Sequence, residues 1–352
     1  MCENLENFNL EPEKAGDTPE QRVPPEGFIP FFESEFYQKY KEKKEIKRLS
    51  NAIGISGILL FVFSFLISMA FSLVILVLFG QKGMEISEDP AILQAIQIVF
   101  SCFSFTVPFI IIYKAFGYRI GDLMSFGKSK KGTVLPLICF GLAVCSFANF
   151  GASYVDSIFR HFGITYDVPD FDYPDGVLGF ILVAIATAVV PALVEEFALR
   201  GLVLGSLRKF GDVFALITSS AIFGIMHGNF EQIPFAFTVG LFLGFTVIKT
   251  GSLRVAIFIH FINNMGAVVF SYFPDTVPEV FVNVIYVIYL LSCLVLGLIS
   301  LKNEQGDTAL LKIADKECES TLRERCKFFF TSVGFIIFAV ISLLQAVIYF
   351  FI

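Results

Sequence analysis

The sequence predicts an all-α membrane protein, a polytopic transmembrane helical bundle of about eight to nine spans. The first observation is composition: the 352 residues are 55% hydrophobic and only 16% charged, whereas a soluble domain carries roughly 25% charged residues. The second is that apolar runs recur, many of them near the ~20 residues that a helix needs to cross a bilayer. Such segments lie at about 52–79, 92–116, 134–155, 177–207, 212–230, 233–248, 253–272, 279–301 and 328–352, which makes nine spans plausible.

The charges of the connecting segments alternate in sign along the chain. Lys and Arg are found in segments 114–131, 208–209, 249–254 and 302–327, whereas acidic residues fill 85–89, 167–175 and 275–279. Because Lys and Arg accumulate in cytoplasmic loops, this alternation predicts a multi-pass protein of the cell membrane with a cytoplasmic N-terminus.

Four parts follow from these patterns. Residues 1–50 are predicted to be a largely disordered, acidic cytoplasmic tail that ends in a basic juxtamembrane stretch, FYQKYKEKKEIKRL. Residues 51–301 form the membrane-embedded domain, 302–327 a charged cytoplasmic linker, and 328–352 a C-terminal transmembrane helix interpreted as peripheral packing. The basic stretch is most simply a positive-inside anchor, with lipid or partner binding as the alternative. The lipid bilayer is thus an expected partner, and nucleic acid is not.

Three ionisable residues interrupt the fourth apolar segment, in PALVEEFALRG at 191–201. Charge inside a membrane is costly and usually functional. Glu196 and Arg200 are at i and i+4 and can meet as an ion pair. Glu195 lies about 100° around the helix from Glu196 and therefore points elsewhere. Pro191, one turn earlier, removes a backbone donor and is expected to kink the helix.

Two of the three histidines also lie in apolar segments. His227 occurs in FGIMHGN and His260 in IFIHFINNMG, whereas His161 is interpreted as a surface residue. His260 and Asn264 are at i and i+4 and so share a helix face. One buried His is commonly a satisfied core residue, but two of them beside a carboxylate pair indicate a site within the membrane.

These side chains are sufficient for peptide-bond hydrolysis. A buried carboxylate can act as the general base that takes a proton from water, with an imidazole beside it. A second imidazole and a carboxamide can donate to a developing oxyanion. Zinc is the open alternative, because Glu195, His227 and His260 are of the types that bind it and activate water. No HExxH motif is present.

Three motifs together resemble the CPBP family, the CAAX proteases and bacteriocin-processing enzymes also called Abi. EEFALR fits EExxxR, FGIMH fits FxxxH and HFINN fits HxxxN, in the family's order, and the likeness covers roughly residues 130–272. The resemblance implies an intramembrane endopeptidase, a helical bundle with its active site in an intramembrane cavity. It assigns Glu195 as the water-activating base, His227 as its partner, His260 and Asn264 as oxyanion stabilisers, and Glu196 with Arg200 as a structural ion pair. Both metal-dependent and glutamate-only mechanisms are described for the family.

The leading hypothesis is therefore an endopeptidase that cleaves a peptide or a membrane-associated protein segment. The alternative is a non-catalytic bacteriocin-immunity or scaffolding protein on the same fold. Retention of all the motif residues argues against that alternative, because a scaffold needs none of them. A transporter with a proton relay is a third interpretation, but the sequence shows none of the internal symmetry that transporters often have.

Overall fold

The computed structural model describes residues 31–127, 134–163, 173–272, 277–303, 313 and 316–348. Within those residues the only β-pairing is one isolated bridge, between Phe126 and Ser252. The prediction of an all-α polytopic bundle is confirmed. Residues 1–30 of the predicted tail and residues 304–312 and 314–315 of the predicted linker lie outside the described residues.

Among the described residues, ten helices of nine residues or more form the bundle: α1 (Phe31–Phe79), α2 (Pro90–Ala115), α3 (Val134–His161), α4 (Gly176–Phe210), α5 (Asp212–Met226), α6 (Gln232–Thr250), α7 (Leu253–Ser271), α8 (Glu279–Asn303), α9 (Leu322–Phe330) and α10 (Val333–Ile348). Short turns at Gly80–Lys82, Gly83–Ser87 and Ile120–Leu123 lie between them. The basic juxtamembrane stretch is continuous with the first span, because both belong to α1.

The number of spans is smaller than the nine apolar segments indicated. Seven helices in the described part of the chain are long and apolar enough to cross a bilayer, and an eighth span results if α9 and α10, bent by 69°, are counted as one. Helix α5 has only 15 residues. It ends at Met226 because the chain turns at Gly228, where φ is +56°, a conformation that glycine adopts without strain.

Helix α4 lies in the core of the bundle. Its residues Leu199, Leu202, Val203 and Leu204 are fully buried. In lipid the packing of helices depends on close contact rather than on exclusion of water, and α5 and α6 show such contact. A methyl group on Gly240 of α6 would lie 3.2 Å from the Cα of Ser220 in α5. The sequence therefore places small residues where helices next to the site approach each other most closely.

Ion pairs join α1 to the C-terminal segment and to α4. Lys39 Nζ lies 2.6 Å from Glu324 Oε1, and Lys209 Nζ lies 3.0 Å from Glu45 Oε2. Thr321 and Glu324 form a capping box that begins α9. These contacts hold the end of the bundle that carries the basic juxtamembrane stretch.

Candidate active site

Helix α4 is irregular where it carries the ionisable residues. Two π-helical segments, Ala184–Val189 and Phe197–Leu204, flank the α-helical segment Val190–Glu196. Pro191 has no N–H, so the carbonyl of Thr187 lacks the donor that an α-helix would supply four residues later. π-Helical segments are rare and are frequently found at functional sites.

Glu196 and Arg200 form a buried ion pair. Arg200 Nη1 lies 2.9 Å from Glu196 Oε1, with the two side chains 1% and 0% exposed. The guanidinium also stacks on the Phe223 ring, 4.2 Å from its centroid, and Nη2 donates to the carbonyl of Gly240 at 3.5 Å. Because a buried ion costs several kcal/mol unless its partners compensate it, these contacts allow the charge to lie inside the bundle.

His260 of α7 completes a chain of charged and polar groups. Its Nδ1 lies 2.9 Å from Glu196 Oε1. Because an ionised carboxylate can only accept, Nδ1 carries the proton and donates a hydrogen bond to Glu196. The other ring nitrogen, Nε2, lies 3.8 Å from Glu195 Oε2. Glu196 therefore orients His260 so that its second nitrogen faces Glu195, the carboxylate that Arg200 does not hold.

His227 lies just beyond the last residue of α5. Its Nδ1 is 2.8 Å from the carbonyl of Phe223 and donates to it, which directs Nε2 away from the helix end. The Phe223 ring contacts both imidazoles, with centroid distances of 4.9 Å to His227 and 6.1 Å to His260. Phe223 thus lies between the two histidines and sets their separation.

Asn264 joins α7 to the first π-helical segment of α4. Its Nδ2 donates to the carbonyl of Thr187 at 3.0 Å, the same carbonyl that Pro191 leaves without a helical donor. Asn263 Nδ2 in turn donates to Asn264 Oδ1 at 3.0 Å. The carboxamide nitrogen of Asn264 has two N–H groups, and Thr187 uses one of them.

Two cavities adjoin this site. His227, Asn264 and Thr187 contribute to the lining of a cavity of about 310 Å³. A second cavity, of about 480 Å³, shares Asn149 and Asn264 with the first and extends between α3, α7 and α8. Neither Glu195 nor His260 is among the described residues that line either cavity. The structure thus brings Glu195, Glu196, Arg200 and His260 together in one contact chain, and His227 and Asn264 together at one cavity.

If the site binds zinc, Glu195, His227 and His260 are the residues that would hold it. Among the described residues, no group of three His, Cys, Asp or Glu side chains is close enough to hold a metal ion. Glu196 Oε1 accepts from both Arg200 and His260, whereas Glu196 Oε2 has no hydrogen-bond partner among the described residues.

Sequence reasoning missed one contact, between Glu196 and His260, and two residues, Asn149 and Thr187. Glu196 accepts from His260 as well as from Arg200, a contact across 64 residues that helical spacing cannot reveal. Asn149 lies on α3, far from every motif. Thr187 carried a usable signal, because the residue four before a helical proline always has a carbonyl without its helical donor.

Residues 177–266 match the family of type II CAAX prenyl endopeptidases described as Rce1-like. Two curated relatives are 30% identical to the chain: the membrane-embedded CAAX protease MroQ of Staphylococcus aureus (strain USA300), over 91 residues, and the putative membrane peptidase YdiL of Bacillus subtilis (strain 168), over 94 residues. The alignments cover 24% and 26% of this chain and 37% and 38% of the relatives. The chain thus matches little more than a third of each relative's length. No solved structure matches the chain. The resemblance to the CPBP intramembrane proteases is confirmed by these matches.

Proposed function

We propose that this chain, with its Rce1-like segment at 177–266, is an intramembrane endopeptidase of the CAAX-protease type that uses a glutamate-activated water. The observation that carries the proposal is the chain of contacts from Arg200 through Glu196 to His260, which ends 3.8 Å from Glu195. A scaffold needs no such chain, since apolar side chains of similar volume would be as stable or more so.

Glu195 is the proposed general base. Its side chain is 15% exposed, whereas that of Glu196 is fully buried, so Glu195 is the carboxylate that water can reach. Glu195 takes a proton from water, and the oxygen attacks the carbonyl carbon of the scissile bond. Positioned proton transfer of this kind contributes about 10²–10⁴-fold to the rate.

The remaining polar groups stabilise charge and move protons. His227 is Glu195's proposed partner: its Nε2, which is unprotonated while Nδ1 donates to Phe223, takes the proton that Glu195 received from water and passes it to the leaving amine. Asn264 has one N–H beyond the one that Thr187 receives, and this N–H can donate to the oxyanion. His260 can donate from Nε2 when its ring is doubly protonated, while Glu196 accepts from Nδ1. Preorganised donors of this kind usually lower the barrier to acyl transfer more than any other single effect.

The proposed substrate is a peptide or a membrane-associated protein segment. The larger cavity is lined by amide and phenol groups, among them Asn149, Asn283 and Tyr286, beside apolar side chains. Such groups can bond to the backbone of an extended peptide in an apolar setting. Because Asn149 and Asn264 line both cavities, a peptide held there reaches the side of the site where His227 lies.

The test is cleavage of a peptide library by the purified full-length protein. Glu195→Gln and His227→Ala should each lower the rate by about 10²–10⁴-fold, whereas Glu45→Gln, which changes an exposed carboxylate, should leave it unchanged. Wild-type rates in both site variants would refute the proposed roles of Glu195 and His227, and absence of cleavage by the wild-type protein would favour an immunity or scaffolding protein. Activity abolished by a chelator and restored by zinc would refute the metal-free mechanism.

We also propose that the N-terminus lies in the cytoplasm. Lys209 is bound to Glu45, and Arg48 Nη2 donates to the carbonyl of Phe116 at 2.9 Å. The C-terminal ends of α2 and α4, where basic residues accumulate, therefore lie at the same end as the juxtamembrane stretch, in accord with the positive-inside rule. External protease should remove an N-terminal epitope from inside-out vesicles and leave it in right-side-out vesicles. The reverse pattern would overturn this orientation.

A further inference from the structure

A long groove of about 940 Å³ lies where α1, the end of α2 and the start of α10 meet. One face of α1 forms most of it. Phe36 and Tyr40 begin that face, and Ile55 and Ile58 end it. Between them lie four cations: Lys43, Lys44, Lys47 and Arg48. Their spacing of three and four residues is that of a single helical stripe.

The charged end of this groove is strongly positive. Among the described residues that line it, none is Asp or Glu. The carboxylates of α1 in this region are used elsewhere, since Glu42 accepts from the backbone N–H of Ser320 and Glu45 pairs with Lys209. Lys44 and Lys47 form no ion pair with another described residue. No described carboxylate therefore lies along the groove to neutralise the four cations.

The groove changes from charged to apolar along the bundle. Lys43 and Ile58 are fifteen residues apart on one continuous helix, which corresponds to roughly 22 Å at the α-helical rise. Ile337 of α10 adds to the apolar end. A ligand that fills the stretch from Lys43 to Ile58 must be anionic where it meets the cations and hydrocarbon-like along the rest of that stretch.

The wall opposite α1 is firmly held in place. Gly334 N donates to Asn51 Oδ1 at 2.8 Å, and Ser50 Oγ lies 2.5 Å from Ser332 Oγ. A methyl group on Gly334 would lie 2.9 Å from the Asn51 Cα, so only glycine allows this approach. The bend between α9 and α10 is thus fixed against α1, and the groove is formed before any ligand arrives, as is usual for ligand sites.

We propose that this groove binds one anionic glycerophospholipid. Its phosphate lies among Lys44, Lys47 and Arg48, and an acyl chain lies along Ile55, Ile58 and Ile337. Basic clusters next to a membrane span attract anionic lipid headgroups, by about 1 kcal/mol for each Lys or Arg. A free phosphate compound would meet the charge but not the apolar part of the groove. This site is independent of the proposed peptidase activity.

Binding is measured by native mass spectrometry of the full-length protein in detergent with three probes: dioleoyl phosphatidylglycerol, dioleoyl phosphatidylcholine and glycerol 3-phosphate. The anionic lipid should bind at least tenfold more tightly than the other two. Lys44→Gln with Lys47→Gln should weaken its binding roughly thirtyfold, from about 1 kcal/mol for each charge and 1.4 kcal/mol for each factor of ten. Lys44→Arg with Lys47→Arg should retain binding, which excludes misfolding as the cause.

The matched control is Lys41→Gln with Lys114→Gln, two exposed lysines at the same end of the bundle that do not line the groove. It removes the same charge and should change the affinity less than threefold. An equal loss in this control would show general surface attraction and overturn the site. Equal affinity for glycerol 3-phosphate would reassign the groove to a soluble phosphate compound. If the anionic lipid binds only after the acidic residues before position 30 are neutralised in the full-length chain, that acidic segment, rather than a lipid, would be the groove's occupant.

Discussion

Two ion pairs in this molecule differ in burial. Glu196 and Arg200 are 0% and 1% exposed and bonded to His260, Phe223 and Gly240. Lys209 and Glu45, at the basic end of the bundle, are 43% and 46% exposed. Exposed pairs contribute about 0–1 kcal/mol, whereas breaking a buried pair by removing one partner costs about 3–5 kcal/mol. An ion pair therefore contributes little to stability at the exposed position of Lys209 and Glu45, whereas loss of one partner is strongly destabilising at the buried position of Glu196 and Arg200.

The largest expected effect comes from Arg200→Met. It leaves the Glu196 carboxylate buried without its cation and should lower the free energy of unfolding by about 3–5 kcal/mol. Lys209→Met, which removes a cation from the exposed pair, should cost less than about 1 kcal/mol. Titration with SDS in mixed micelles, followed by far-UV circular dichroism, measures both variants. Equal losses would mean that burial does not distinguish the two pairs.

The two regions also differ in how much of them the sequence predicts. The ion pair between Glu196 and Arg200 is four residues apart on one helix, so local geometry suffices to suggest it. The contact between His260 and Glu196 joins α7 to α4 and depends on how the helices pack, which no local rule provides. Helix existence was likewise predictable from apolar runs. The early end of α5 was not, because it depends on the backbone turn at Gly228, inside the segment predicted to run from 212 to 230.

The C-terminal segment shows the same limit. Residues 328–352 contain no charged side chain, and composition alone suggests a straight peripheral helix. The structure instead has a bend of 69° between α9 and α10. The contacts of Ser332 and Gly334 with Ser50 and Asn51 fix this bend, and they join residues more than 280 positions apart, beyond the reach of any periodicity.

A smaller effect separates the adjacent glutamates and sharpens the comparison within the buried region. Glu196→Gln keeps an oxygen that can accept from Arg200 and His260 but removes the negative charge. The hydrogen bonds that Arg200 and His260 donate to this residue therefore become weaker. A cost of about 1.5–3 kcal/mol in the free energy of unfolding is expected. Glu195→Gln should cost less than about 0.5 kcal/mol, because its nearest charged or titratable contact, His260 Nε2, is 3.8 Å away.

Cleavage assays on the same two proteins complete the separation. Glu195→Gln should be well folded and inactive, because it removes the proposed base. Glu196→Gln should be less stable and should retain part of the activity, because its amide oxygen can still accept the Nδ1 proton of His260 and hold the ring in place. A stable Glu196→Gln protein as inactive as Glu195→Gln would contradict this division. It would mean that His260 needs the negative charge of Glu196 for the reaction, and not only a hydrogen-bond acceptor at that position.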